Sequence, residues 1–77
     1  MAKARITRVL ARDLPPAPVG TKIRIFDDKI AGFILERRHT GITFYLRYKD
    51  LRGRGRELKL GRLGEITCDQ ARSKAES

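Results

Sequence analysis

Between residues 42 and 49 the chain alternates without a break: Ile42, Phe44, Leu46 and Tyr48 fall to one side, Thr43, Tyr45, Arg47 and Lys49 to the other. A period of two is the signature of a pleated strand with one face buried and one in water. Shorter runs repeat it. Residues 22–26 alternate as Lys22-Ile23-Arg24-Ile25-Phe26 before Asp27-Asp28-Lys29 ends the run. Residues 32–38 place Phe33 and Leu35 on a face with Arg37, and Ile34, Glu36 and Arg38 on the other. Residues 56–60 turn Leu58 and Leu60 inward and Glu57 and Lys59 outward. His39-Thr40-Gly41 and the cationic stretch 50–55 join the last three runs, and connections this short predict an antiparallel meander.

Helical signals flank these strands. Thr67 with Gln70 three residues later fits a capping box, with Ile66 and Ala71 at the staple positions and Asp69 favourable to the helix dipole. Near the start, Thr7 is placed to cap a short helix running to about Asp13. Pro15, Pro16 and Pro18 then impose an extended connection up to Gly20. The expected fold is α+β: a three-stranded antiparallel sheet packed on a C-terminal helix in residues 21–77, preceded by a basic, partly ordered segment over residues 1–20. Phe33, Leu35, Phe44, Leu46, Tyr48, Leu58 and Leu60 are the expected core. The helix reaches Ser77 without a stop signal, an end that reads as a cut in a longer chain.

Charge narrows the function. The 77 residues carry 18 Lys+Arg against 9 Asp+Glu, a formal net charge of +9, with enough hydrophobic residues (40%) for a packed domain. Such an excess of cations is useful chiefly against polyanions. No apolar run approaches the roughly 18 residues of a membrane span, and no signal peptide opens the chain, so a cytoplasmic protein is expected. Cys68 is the only cysteine and His39 the only histidine, too few for a disulfide or a four-ligand zinc site; no cofactor is expected. Cys68 reads as a small filler, His39 as an exposed turn residue, and Asp27 and Asp28 as turn residues. A multistep enzyme is a poor fit to so few titratable groups.

The face away from the helix would carry Arg38, Thr43, Tyr45, Arg47, Lys49 and Lys59, with Glu36 and Glu57 as its acids. A β-layer rich in long donors suits a DNA major groove, where Arg and Lys donate to guanine O6 and N7. Arg52, Arg54 and Arg56, spaced by glycines, would then lie along the phosphates. A solvated strand face and a mobile hairpin are the bland alternatives, with Tyr45 merely covering its cross-strand neighbours. RNA binding and protein docking through the terminal helix are further alternatives; stacking on RNA single strands wants exposed aromatics, and only Tyr45 qualifies.

The ordered series Ile25-Phe26-Asp27, Ile30-Ala31-Gly32-Phe33, Phe44-Tyr45-Leu46-Arg47-Tyr48-Lys49, then Arg54, Arg56, Leu58, Leu60, Gly61, Thr67 and Ala71-Arg72 resembles the N-terminal arm-type DNA-binding domain of phage and prophage integrases of the tyrosine recombinase class. The resemblance implies a three-stranded sheet on a C-terminal helix, with the sheet in the major groove of arm-site double-stranded DNA. Carried onto this chain, it assigns Arg38, Thr43, Tyr45, Arg47, Lys49 and Lys59 to the sheet face and Arg52, Arg54 and Arg56 to the backbone. It also implies partners beyond this chain: a separate catalytic domain that cuts and rejoins DNA, and other integrase subunits. Ala31 stands where members often have proline, and Glu36 is an acid on the proposed reading face, able to accept from a cytosine N4 or to orient Arg38 or Arg47. One histidine and two tyrosines cannot supply the recombinase chemistry, so no strand cleavage is expected of this chain.

Overall fold

The computed structural model describes residues 2–76. Its elements run β1 (Ala2–Ala4), α1 (Arg8–Asp13), β2 (Lys22–Asp27), β3 (Phe33–Arg38), β4 (Gly41–Lys49), β5 (Gly55–Arg62) and α2 (Cys68–Glu76). Ser77, the expected cut end, lies outside the described residues. The strands form one sheet in the order β1-β2-β3-β4-β5, five strands where the sequence predicts three. The meander β3-β4-β5 is as expected. The alternating run at Lys22–Asp27 joins it antiparallel to β3, with Ile25 opposite Leu35. The outermost strand β1 then pairs parallel to β2, Lys3 opposite Phe26, after a crossover that contains α1.

Both helices begin as their caps dictate. Thr7 Oγ1 accepts from the Leu10 N–H at 3.1 Å. At α2 the box closes in both directions: Thr67 Oγ1 accepts from Gln70 N–H at 3.1 Å, and Gln70 Oε1 accepts from Thr67 N–H at 2.8 Å. A helix as short as α2 has little stability of its own in water and depends on what it packs against. Cys68 and Ala71 are its buried residues, closing on a core of Ile6, Ala11, Ile25, Phe33, Leu35, Ile42, Phe44 and Leu60. The Phe33 and Phe44 rings stack with centroids 6.0 Å apart. Each such aromatic or leucine removed from water contributes roughly 1.5–3 kcal/mol.

Two expected core residues fall outside it: Tyr48 is 46% and Leu58 52% exposed. The reason is reach. The helix lies against the Leu60 end of β5, where Lys74 Nζ donates to the Leu60 carbonyl, and the β4-β5 hairpin runs on past it. A bulge in that hairpin shifts the register from Phe44 opposite Gly61 to Tyr45 opposite Lys59. Leu60 stays buried, and Arg62 comes level with Thr43 on the other face.

Asp27 holds these layers together. One carboxylate oxygen accepts from the Ile6 N–H at 2.9 Å and from Arg72 Nη2 at 2.6 Å, and the other from the N–H groups of Lys29 and Ile30 at 2.9 and 2.7 Å. Arg72 also donates to the Ile6 carbonyl at 2.8 Å. The expected turn role is real, and to it is added a tie from the sheet to α2 and to the segment before α1. Burial alone would raise the Asp27 pKa, but the three backbone donors and Arg72 outweigh it and hold the group at about 2, below its usual 3.8. A folded value below the unfolded one means a contribution fully present above the unfolded value and lost as the pH falls through 3.8 toward 2. The shift corresponds to about 2 kcal/mol. Urea unfolding of the protein and of Asp27→Asn should therefore show a stability gap that is widest near neutrality and closes below pH 3.8. A gap independent of pH would contradict this role for the charge.

Candidate nucleic-acid interface

The helices cover one face of the sheet and leave the other open. On the open side the register sets Phe26, Ile34, Tyr45 and Lys59 in one row across the strands, and Arg24, Glu36, Thr43 and Arg62 in the next. The inner strand β3 is buried on this side too: Ile34 is 0% and Glu36 1% exposed. Arg24 is the cover. Its guanidinium lies 5.6 Å from the Tyr45 ring centroid, within cation–π range. Its Nε donates to Glu36 at 2.9 Å, and Nη1 and Nη2 donate to Glu57 at 3.2 and 3.0 Å. The side chain thus spans from β2 across the sheet to β5.

Glu36 is the hub beneath. Besides Arg24 it accepts from Arg38 Nε at 2.9 Å, with Lys22 Nζ at 3.8 Å. Burial opposes its ionised form, but Arg24 and Arg38 more than compensate and leave its pKa below the ordinary value. Glu57 is likewise lowered, chiefly by its bonds from Arg24. Both acids are therefore charged near neutrality, and each is matched by cations. Of the two arginines that Glu36 is placed to orient, it bonds Arg38; its other cations are Arg24 and Lys22, and no ion pair joins it to Arg47.

The residues expected to read DNA divide into three groups. Arg47, Lys49 and Lys59 are exposed, and within the described residues no hydrogen bond or ion pair ties their side chains. Thr43 and Tyr45 are half-buried between them, and Arg38 is exposed but bonded to Glu36. Arg52 and Arg54 project from the hairpin tip, a built turn in which Asp50 accepts from the N–H groups of Arg52 and Arg54 at 2.9 and 3.0 Å. Arg56 stands apart: it is opposite Tyr48, on the helix side, and its Nε donates to Asp50 at 3.1 Å. Sequence reasoning missed Lys22, Arg24 and Arg62 on the open face. The alternation over 22–26 already set the first two on one side, whereas Arg62 needed the bulge, marked in the sequence by Gly61, a glycine inside a strand.

A family model described as the arm DNA-binding domain matches residues 2–77. The chain belongs to the arm DNA-binding domain family. Arm-type domains of this kind occur in phage integrases, bind DNA and are not catalytic. No curated protein and no solved structure matches the chain. Among the described residues of this arm domain no helix is long and apolar enough to cross a membrane, and no cluster of His, Cys, Asp and Glu is arranged to hold a metal ion. The Cys68 thiol is buried, and that burial raises its pKa, which suits packing better than reactivity.

Arg47 owes its position to Gly32. The Arg47 N–H donates to the Gly32 carbonyl at 2.8 Å, and Gly32 adopts φ +84°, where a Cβ would run into the Arg47 carbonyl oxygen. Gly32→Ala should therefore cost about 1–3 kcal/mol in urea unfolding. Gly55→Ala, where the space is open and φ is not positive, should change stability by less than about 0.5 kcal/mol. Equal effects of the two would contradict the close approach.

Proposed function

We propose that this arm DNA-binding domain serves a phage or prophage integrase of the tyrosine recombinase class, in the bacterial cytoplasm. Its open sheet face enters the major groove of arm-site double-stranded DNA, and a catalytic domain elsewhere in the protein cuts and rejoins strands. One observation carries the reading: the sheet face that no helix covers bears Arg47, Lys49, Lys59 and Arg62, which form no ion pair among the described residues, in line with Thr43 and Tyr45. A strand layer fits the width of the major groove, and these donors match its base edges. Arg52 and Arg54 at the tip are assigned to phosphates, and Arg38, bonded to Glu36, to the rim of the face. Arg56 keeps a supporting part in the hairpin. The alternative of single-stranded RNA is disfavoured by the aromatic rings: Tyr45 is half-buried beside Arg24, and the exposed Tyr48 points to the helix side.

Titration of labelled duplex at several salt concentrations tests the proposal. Contact with roughly five to eight phosphates gives a log–log slope of about −4.5 to −7. Arg47→Ala should flatten discrimination between duplexes by about 1–3 kcal/mol, and Arg54→Ala should weaken all duplexes alike while reducing the slope by about 0.9. A flat slope, or tighter binding to RNA than to duplex DNA, would contradict the proposal.

A further inference from the structure

Arg24 is gripped at both ends by carboxylates of very different accessibility. Glu36, on its Nε, is 1% exposed and shared with Arg38, whereas Glu57, on the Nη1–Nη2 fork, is 37% exposed at the solvent edge. With Nε committed inward, the guanidinium presents only its terminal fork, and what fills that fork is a pair of acceptor oxygens at 3.2 and 3.0 Å. We propose that Arg24 is a base-reading residue that takes the O6 and N7 of a guanine through this fork, and that Glu57 occupies the fork until such a base displaces it. The inference rests on the open-face reading above.

The position favours a base over a phosphate. Arg24 lies over Tyr45 in the middle of the sheet, and a strand layer in the major groove turns its middle to the base edges while phosphates flank its margins. Guanine supplies the same two acceptors as the carboxylate it replaces. A duplex without guanine at that point leaves Arg24 with Glu57 and gains nothing from it. Displacing Glu57 is a cost that only the guanine-bearing duplex meets, so Glu57 lowers the affinity of that complex while the fork of Arg24 supplies the discrimination. Glu36 is the positioning residue that keeps the fork aimed while Glu57 leaves.

Selection from a pool of randomised duplexes, followed by sequencing, tests this. The protein as it stands should recover a guanine at one position. Arg24→Lys keeps the charge and a bond to Glu36 but lacks the fork, so it should lose that one preference and retain the others. Glu57→Gln should tighten binding to the guanine-bearing duplex about two- to five-fold more than binding to the unselected pool, a difference absent when Arg24→Lys is also present. Recovery of the same guanine by Arg24→Lys, or the same guanine-dependent gain from Glu57→Gln in both backgrounds, would overturn the proposal and leave the open-face reading intact. If the unaltered protein recovers no sequence at all, both readings fall together.

Discussion

A single carboxylate sets the order of the layers in this domain. Asp27 ends β2, accepts from the turn that leads into β3, and draws Arg72 of α2 and the backbone of Ile6 onto itself. Arg72 spreads over the Phe33 ring, 5.7 Å from its centroid, so the charged tie and the apolar core meet at one place. Removing one partner of such a buried pair leaves an uncompensated charge, which is why the two ends of the chain, far apart in sequence, stay on the same side of the sheet. A nine-residue helix gains from its own backbone far less than it needs; the tie and the Cys68–Ala71 contact do the rest.

Fixing the helices on one side determines what the other side can be. Two carboxylates there are matched by cations, Glu36 by Arg24, Arg38 and Lys22, and Glu57 by Arg24 with a further electrostatic contribution from Arg47 opposite it, so the floor of the open face is electrostatically closed. Above that floor Arg47, Lys49, Lys59 and Arg62 stand in solvent, with no acid among the described residues bonded to them. The arrangement separates two tasks that one charge cannot perform together: cations that organise the sheet are paired, and cations available to a polyanion are left in water. Gly32 adds a mechanical condition, since the backbone that carries Arg47 leans directly on it.

Much of this was legible because the deciding interactions are local. The strand faces follow from alternation at Phe33–Arg38 and Gly41–Lys49, and both helix starts follow from hydroxyl caps at Thr7 and Thr67. What escaped was non-local. The strand Ala2–Ala4 is too short to show a period, and its partner lies beyond a helix. Asp27 looks like any turn aspartate until Arg72 arrives from the other end of the chain. Tyr48 and Leu58 obey the pattern of a buried face, but burial also requires something to cover them, and α2 ends short of the hairpin. Arg24 could be assigned to the open face by parity, yet its bridge to Glu57 crosses two intervening strands, which a one-dimensional pattern cannot express.

If DNA enters by the side opposite the helices, contact must register there first. Amide and side-chain NMR spectra recorded as duplex is added give the most direct reading. The largest shifts should fall on Thr43, Tyr45, Arg47 and Lys59, with Gln70, Ser73 and Glu76 on the exposed side of α2 nearly unmoved. Shifts concentrated on α2, with the open sheet face silent, would contradict the assignment of that face to DNA.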